Sequence, residues 1–395
     1  MMKFYGLVRD NAQELAEIIV HENGKNITEA LADLAKGNET VEYACSLPQL
    51  VQGKILRVSS EAVCQDRRDA LGIVTSIVPF NFPFMVPMWT VPMALVLGNC
   101  MILKPSEKVP LTMTKVVDLF EKAGLPEGVF QMIQGKEEAV SPLLEHPSVK
   151  AVTFVGSSPV AKLVADKCHS LNKRVIALGG AKNHLVVLDD CDIEQTASDI
   201  VVSFAGCAGQ RCMAASVLLL VGDQPAVLES VVKKAKAIVP GCDPGQCGPV
   251  IDKISYDKIL MILAEAESNG AEILLDGRKD MWAMDEKRGG YWIGPTIIHH
   301  KSSSDHALQK EIFGPVLSVY TCKSWEEAIA IENSNAFGNA ACIYTNNGGN
   351  AEWFTNRFRS GMLGVNIGIP VPREPFSFGG LYGTLSKYGG KSQII

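Results

Sequence analysis

The segment 206–213 contains the residue best placed for covalent chemistry, Cys212. It reads Gly-Cys-Ala-Gly-Gln-Arg-Cys-Met, so Arg211 precedes the cysteine and two glycines stand upstream. A cysteine attacks as its thiolate, and a free thiol with a pKa of about 8.5 is mostly protonated at neutral pH. The charge of Arg211 favours the thiolate, and the glycines let a ligand approach the backbone. Cys212 is therefore the predicted nucleophile and Cys207 a competing candidate, while the other cysteines fit small buried hydrophobic residues.

Three other motifs could serve the same reaction. Asn81 stands in the segment 79–83, Pro-Phe-Asn-Phe-Pro. The segment 104–107 reads Lys-Pro-Ser-Glu, and the segment 311–316 reads Glu-Ile-Phe-Gly-Pro-Val. Taken singly, these are ordinary features: a turn asparagine, a capped helix start and a strand-edge loop. Their order relative to Cys212 is hard to obtain by chance, so the set is informative where each motif alone is weak.

Together the four motifs resemble the aldehyde dehydrogenase superfamily, and the resemblance runs across nearly the whole chain. It implies thiol-dependent oxidation of an aldehyde, in which Cys212 attacks the carbonyl carbon. The Asn81 amide and the Cys212 backbone N–H then stabilise the oxyanion, and one such donor contributes about 3 kcal/mol in favourable cases. The implied fold is α/β, with a Rossmann-like NAD-binding domain, an α/β catalytic domain and a small oligomerisation arm. The family forms dimers and tetramers, which implies a homodimer or homotetramer.

The resemblance also implies the cofactor NAD, although the sequence has no Gly-x-Gly-x-x-Gly fingerprint. Lys104 and Glu107 match residues that contact the adenosine ribose, and Ser157 stands at a predicted helix start that can receive a phosphate. Glu311 and Phe313 match residues that position the nicotinamide ribose. Glu107 would repel a 2′-phosphate, which favours NAD over NADP. Further residues assigned to cofactor binding by position are Val78, Phe80, Lys108, Gly156 and Gly179.

One position departs from the general family pattern and changes the expected reaction. Most members carry a glutamate where this chain has Leu178, and that glutamate activates the water that hydrolyses the thioester. A positioned base is worth roughly 10²- to 10⁴-fold in rate, so its loss slows hydrolysis. A thiol acceptor needs less help because part of it is already thiolate. The expected acceptor is therefore coenzyme A.

The segment 180–184, Gly-Ala-Lys-Asn-His, makes the chain similar to the CoA-acylating methylmalonate-semialdehyde dehydrogenase branch. That branch implies oxidative decarboxylation of malonate or methylmalonate semialdehyde to acetyl-CoA or propionyl-CoA. Two arginines hold the substrate carboxylate there; Arg211 matches one, and Lys36 stands at the position of the other. Lysine provides charge without the bidentate geometry. The branch also usually has asparagine in place of Leu178 and glycine in place of Ala161.

Two other interpretations stay open. One is a hydrolytic NAD-dependent aldehyde dehydrogenase that recruits another base and turns over without CoA. The other is a non-catalytic, truncated homologue, which Leu178 and Lys36 favour and the intact Cys212 and Asn81 oppose.

Composition restricts the other classes of function. The 395 residues are 47% hydrophobic and 20% charged, and the net charge of −6 gives no sign of a nucleic-acid or membrane partner. Eleven cysteines without a Cys-x-x-Cys pair predict no metal site and a reducing compartment. The expected location is the cytoplasm in a bacterium or the mitochondrial matrix in a eukaryote. The uncharged stretch 70–103 is long enough to cross a membrane, but four prolines interrupt it.

Strands and helices alternate from about residue 71, which predicts parallel sheets. Within 70–103 the pattern predicts a buried strand, a turn, one buried helix beginning near Pro83 and a second buried strand. Both ends lack segments that are usual in the family, so the chain is expected to be truncated. The predicted domains are an NAD-binding domain over 1–54 and 71–180, a catalytic domain over 181–372, and an oligomerisation arm over 55–70 and 373–395.

Overall fold

The computed structural model describes residues 1–282 and 289–390. The chain divides into two compact units, each with strands and helices. The first unit comprises residues 1–23, 30–156 and 162–177, and the second comprises 24–29, 157–161 and the chain from 178 onward. The predicted domain boundary near 179–180 lies close to this division; the functions assigned to the domains stay predictions.

The first unit contains most or all of eight helices and seven strands. The helices are α1 (Met2–Asp10), α2 (Ala12–Asn23), α3 (Ile27–Leu50), α4 (Met85–Met88), α5 (Val91–Val96), α6 (Leu111–Ala123), α7 (Glu137–Glu145) and α8 (Ser158–Ser170). The strands are β1 (Ile55–Arg57), β2 (Val63–Gln65), β3 (Ile73–Ile77), β4 (Cys100–Lys104), β5 (Phe130–Met132), β6 (Val149–Val155) and β7 (Arg174–Leu178).

The strand order in the first unit, β7-β6-β3-β4-β5, reverses at β3. β3 pairs in parallel with β4 on one side and with β6 on the other, so Ile77 lies opposite both Lys104 and Phe154. The chain moves outward from β3 to β5 and then returns to the other side of β3 for β6 and β7. In such doubly wound sheets, ligands bind beyond the carboxyl ends of the strands at the reversal. The residues that follow β3, β4 and β6 therefore occupy the usual position of a binding site.

The uncharged stretch 70–103 contains two short helices where the sequence predicts one. α4 ends at Met88 and α5 begins at Val91. Pro92 has no N–H to donate to the Met88 carbonyl, and its ring would clash there, so a single continuous helix is disfavoured. The two flanking strands are found as predicted. No helix within residues 1–282 and 289–390 is long and apolar enough to span a membrane.

Residues 55–70 include an antiparallel hairpin of β1 and β2, in which Leu56 lies opposite Cys64. Every residue of both strands is exposed. The sequence assigns this region to an oligomerisation arm, and that role stays a prediction.

The described part of the second unit contains six further α-helices and eight strands. The helices are α9 (Ile193–Ala205), α10 (Pro225–Lys236), α11 (Lys253–Ser268), α12 (His306–Gln309), α13 (Trp325–Ser334) and α14 (Gly348–Thr355). The strands are β8 (Asn183–Val187), β9 (Ala215–Val221), β10 (Glu272–Leu275), β11 (Thr296–His299), β12 (Val316–Cys322), β13 (Ala340–Tyr344), β14 (Met362–Val365) and β15 (Lys387–Gly389).

The main sheet of the second unit has the order β10-β11-β12-β9-β8-β13-β14. All its pairs are parallel except β10 with β11. Alternate residues point to opposite faces: Leu218 packs in a core with Phe204 of α9, whereas Leu219 packs in another with Phe354 of α14. Burial on both faces explains the continuous hydrophobic runs in the sequence. Because the strands are parallel, the residues that precede β8, β9, β12 and β13 meet at one edge of the sheet.

Candidate active site

The segment between α9 and β9 carries Cys212 on a tightly bent backbone. Cys207, Ala208 and Gly209 have φ values of 51°, 52° and 68°, so three successive residues are left-handed. Two of them are not glycine, and an L-residue in this conformation costs roughly 1–2 kcal/mol. The Gln210 side chain, which is buried, donates to the Cys207 carbonyl at 3.3 Å and so closes the bend. Backbone strain of this kind is concentrated at functional sites.

The segment 311–316 lies directly against this bend. A Cβ at Gly209 would overlap the Gly314 carbonyl, so only glycine lets the two backbones approach so closely. Phe313, the residue before Gly314, has a φ of 60° and is another left-handed residue that is not glycine. β9 and β12 are parallel neighbours, which brings the two segments to the same edge of the sheet.

Glu311 is held by the backbone that precedes β8. Its Oε1 accepts the Ala181 N–H at 2.8 Å, and a Cβ at Gly180 would overlap its carboxylate. Burial raises the pKa of Glu311, and this outweighs the Ala181 N–H and the charges of Lys258 and Lys182, which lower it. The segments 180–184, 206–213 and 311–316, which the sequence singled out separately, therefore converge within the second unit.

Lys182 is a buried cation beside this carboxylate. Lys182 is 3% exposed, and its Nζ has no hydrogen-bond partner among residues 1–282 and 289–390. Burial lowers the pKa of Lys182 to about 7, with the charge of Glu311 opposing this effect and that of Lys258 adding to it. The side chain is therefore close to losing its charge at neutral pH.

The Cys212 thiol is partly buried and lies in an unfavourable environment for its anion. Burial, the largest cause, and the charge of Glu311 raise the pKa of Cys212 to about 12. The backbone N–H groups of Cys212 and Met213 and, least of all, the charge of Arg211 act against this increase in the pKa. The Cys212 thiol is therefore protonated at neutral pH.

The Arg211 guanidinium contacts the other end of the same segment. Its Nε donates to Cys207 Sγ at 3.1 Å, its Nη2 to Glu29 Oε1 at 3.2 Å, and its Nη1 to the Val202 carbonyl at 3.4 Å. Glu29 Oε1 also accepts the Cys207 N–H at 2.7 Å. All three guanidinium nitrogens have partners in this segment or its surroundings, and the carboxylate of Glu29 offsets the charge of Arg211.

In the first unit, charged and aromatic side chains lie at the ends of β3 and β4. The Val78 N–H donates to the Lys104 carbonyl at 3.1 Å, which joins the two ends. Lys104 is 5% exposed, and its Nζ lies 3.2 Å from Glu107 Oε2. Burial alone would raise the pKa of Glu107, but a backbone N–H and the two nearby lysines lower it below its usual range. Lys108 Nζ lies 5.1 Å from the centre of the Phe80 ring, a cation–π contact.

Asn81 lies buried in the loop that follows β3. Asn23 Nδ2 donates to the Phe80 carbonyl at 2.9 Å, which ties the loop to α2. Asp33 Oδ1 accepts the Met85 N–H at 2.7 Å, which ties the start of α4 to α3. The position of the asparagine within the first unit is thus fixed on both sides.

The remaining residues assigned to the cofactor follow β6 or precede β8. Gly156 lies directly after β6, where a Cβ would come within 2.6 Å of the Phe154 ring. Ser157 and Gly179 belong to the second unit. A Cβ at Gly179 would lie 2.7 Å from Ser158 Oγ, which also accepts the Gly180 N–H at 2.9 Å. The glycine therefore allows the start of α8 to pack on this backbone.

Lys36, the other residue assigned to the substrate carboxylate, lies on α3. Its side chain is 55% exposed and pairs with Glu39 at 3.0 Å. For a metal, the described residues hold no group of three or more His, Cys, Asp or Glu side chains that could bind one.

The aldehyde dehydrogenase family model matches residues 1–393 of this chain. The chain belongs to the aldehyde dehydrogenase family. Malonate-semialdehyde dehydrogenase 1 of Oceanobacillus iheyensis is 41% identical over 398 residues, which cover 98% of this chain and 81% of that protein. The malonate-semialdehyde dehydrogenase of Bacillus subtilis strain 168 is 41% identical over 399 residues, with the same coverage.

Solved structures of family members have the same fold. Methylmalonate-semialdehyde dehydrogenase from Oceanimonas doudoroffii superposes with a TM-score of 0.95 at 37% identity, over 99% of this chain and 80% of that one. A protein of Sinorhizobium meliloti 1021 that was solved in complex with NAD also gives a TM-score of 0.95, at 35% identity over 99% and 80%. The aldehyde dehydrogenase fold expected from the sequence is therefore confirmed.

Sequence reasoning missed three residues of this family member that contact the segment 206–213. Asn183 and Asn339 bind the backbone at Cys212, and Glu29 binds Arg211. Asn183 lies within the segment 180–184, which indicated the CoA-acylating branch, so a sequence motif could have pointed to it. Asn339 and Glu29 had none, because they lie 127 and 182 residues away from their partners in sequence.

Proposed function

We propose that this aldehyde dehydrogenase oxidises malonate or methylmalonate semialdehyde with NAD and transfers the product to coenzyme A. The products are acetyl-CoA or propionyl-CoA, and the intermediate is a thioester on Cys212. Family membership and the names of the relatives support an aldehyde dehydrogenase for a semialdehyde. The observation that carries the CoA-dependent part is the buried leucine at position 178.

The residues at the ends of β3 and β4 fit NAD. Lys104 holds the Glu107 carboxylate in place, and the low pKa of Glu107 keeps it ionised as an acceptor for ribose hydroxyls. Phe80 and Lys108 add an apolar and a cationic surface at the same place. Glu311 and Phe313 are assigned to the nicotinamide ribose by the resemblance. When bound, NAD supplies the hydride acceptor.

Cys212 is proposed to add to the aldehyde carbon after its thiol proton is lost. The bond from sulfur to carbon forms as the carbonyl oxygen takes up the electron pair, and the Asn81 amide and the Cys212 N–H are assigned to that oxygen. Loss of hydride from the same carbon leaves a thioester. The β-carboxylate then leaves as CO₂, and the carbon takes up a proton, which gives an acetyl or propionyl group on the sulfur.

Leu178 supports transfer of this acyl group to a thiol rather than to water. A leucine side chain cannot accept a proton, so the position where most members have a glutamate base provides none. The CoA thiol, as its thiolate, attacks the thioester carbonyl and releases Cys212 as a thiolate. Arg211 and Lys36 are assigned to the substrate carboxylate; for Arg211, that carboxylate must compete with Glu29.

Steady-state formation of NADH from malonate semialdehyde tests this proposal. We expect turnover by the wild type that depends on CoA, and at least about a 10³-fold loss in Cys212→Ala. Cys191→Ala, which alters another partly buried cysteine of the same unit, is the matched control and should stay active. Equal turnover with and without CoA would point to hydrolysis, and no NADH from the folded wild type would favour a non-catalytic homologue.

A further inference from the structure

Two side-chain amides bind the backbone carbonyl of the proposed nucleophile. Asn183 Nδ2 donates to the Cys212 carbonyl at 2.9 Å and to the Ala214 carbonyl at 2.8 Å. Asn339 Nδ2 donates to the same Cys212 carbonyl at 3.2 Å and to Asn183 Oδ1 at 3.2 Å. Asn183 is 1% and Asn339 7% exposed. The carbonyl is thus held by two buried donors that also bind each other.

The amides are attached to rigid supports. Asn183 is the first residue of β8, and Asn339 immediately precedes β13. Both strands are central in the sheet, where β8 pairs with β13 on one side and with β9 on the other. Cys212 itself lies shortly before β9. Carbonyl and amides therefore come from the same edge of three adjacent parallel strands.

Holding this carbonyl determines the direction of a neighbouring donor. The Cys212 carbonyl and the Met213 N–H belong to one planar trans peptide, in which they point in opposite directions. If the oxygen is fixed by Asn183 and Asn339, the N–H is fixed as well. The Met213 N–H is one of the groups that lower the pKa of the Cys212 thiol.

We propose that Asn183 and Asn339 are positioning residues that hold the Cys212–Met213 peptide, and with it the Met213 N–H, in one orientation next to the Cys212 thiol. The proposal rests on the proposed role of Cys212 as the nucleophile. It goes further by giving the source of the donor geometry around the sulfur. A purely structural alternative is that the amides only satisfy carbonyls at the sheet edge.

The rate of Cys212 alkylation by iodoacetamide as a function of pH separates these two roles. The rate is measured on the Cys212 peptide by mass spectrometry, with exposed Cys64 as an internal reference in each sample. We expect Asn183→Ala and Asn339→Ala to slow Cys212 alkylation by roughly 10-fold at pH 8, because the thiolate loses a donor. The slowing of Cys212 alkylation should be the same at pH 7, 8 and 9, while alkylation of Cys64 is unaffected.

The combination of both substitutions provides a sharper test. Two independent effects of roughly 10-fold would slow Cys212 alkylation about 100-fold in the double variant. Because both amides act through one carbonyl, we expect a far smaller combined effect, as for coupled residues. Asn339→Asp keeps the shape of the side chain but removes its donor, so it should resemble Asn339→Ala. Asn335→Ala, which removes a buried asparagine that binds elsewhere, should leave the rate unchanged.

Activity gives a second readout. Under the proposed function, the variants should lose kcat and keep KM for the semialdehyde, because both amides are engaged with backbone carbonyls. Unchanged Cys212 alkylation in Asn339→Asp and in both alanine variants, with only a lower melting temperature, would overturn the proposal. Alkylation needs neither NAD nor semialdehyde, so failure of the proposed function would leave this test intact.

Discussion

The end of β4 in the first unit and the bend before β9 in the second are built in different ways. At the end of β4, the interacting Lys104 and Glu107 are three residues apart and form an ion pair. At the bend, Cys212 depends on residues far away in sequence, such as Asn339, and on close contact between Gly209 and Gly314. We therefore expect changes at the end of β4 to alter binding alone. Changes at the bend should alter chemistry and stability together.

Among the changes that compare these two regions without removing Cys212, the largest effect is expected at the end of β4. Glu107→Gln removes the ionised acceptor proposed for the ribose hydroxyls, and a hydrogen bond to a charged group is worth about 1.5–3 kcal/mol. KM for NAD should rise roughly 10- to 100-fold, and the preference for NAD over NADP should narrow. Glu121→Gln, an exposed carboxylate on α6, is the control. A large change in melting temperature would contradict the local character of this site.

Lys182 should make stability depend on pH. Its pKa is lowered to about 7 in the folded protein, whereas the pKa of a lysine in an unfolded chain is about 10.4. Between these values the unfolded chain binds a proton that the folded chain does not, so stability rises with pH; below pH 7 the slope vanishes.

Denaturant unfolding at pH 7.5 and 9 measures this slope. We expect Lys182→Met to remove a contribution of about 1 kcal/mol per pH unit, whereas Lys233→Met, which alters an exposed lysine of α10, should not. A slope that is the same in all three proteins would show that Lys182 keeps its charge on folding.

The charge of Glu311 should make the Cys212 thiol harder to deprotonate. This charge raises the pKa of Cys212 beyond the effect of burial. Glu311→Gln should therefore speed alkylation of Cys212 by roughly 3- to 10-fold. Glu272→Gln, an exposed carboxylate on β10, should change nothing. Slower alkylation in Glu311→Gln would contradict this electrostatic relation.

The smallest effect concerns the strain of the bend. Ala208 has a φ of 52°, which glycine adopts readily. In Ala208→Gly, the relief of backbone strain should therefore offset the stability lost with the buried methyl group. The free energy of unfolding of this variant should change by less than about 0.5 kcal/mol. Ala197→Gly, at an equally buried position within α9, should cost about 1–2 kcal/mol. Equal losses in both variants would mean that the bend is not strained.

Features of the structure that depend on neighbouring residues could be predicted from the sequence, whereas those that depend on distant residues could not. Sequence reasoning found β3 and β4 because their hydrophobic pattern and the prolines and glycines that flank them are local signals. Sequence reasoning missed the split between α4 and α5, where Pro92 interrupts a hydrophobic run that is long enough for one helix. It also found the convergent motifs without showing that Gly180 and Gly209 are the points of closest approach.

Side-chain pairing was the least predictable part of the site. The sequence places Arg211 beside Cys212, and adjacency suggests that its charge activates the thiol. In the structure, the guanidinium binds Glu29 and Cys207, because successive residues on a bent backbone point in different directions. Neither this pairing nor the contact of Asn339 with Cys212 leaves a trace in local spacing.

The central claim is that Cys212 carries an acyl group that water removes slowly and CoA removes fast. The most direct measurement is mass spectrometry of the Cys212 peptide after addition of NAD and malonate semialdehyde without CoA. The account predicts an acetyl group on Cys212, formed with a single burst of NADH and removed when CoA is added. Sustained NADH formation without CoA, with no acyl group on this peptide, would contradict it.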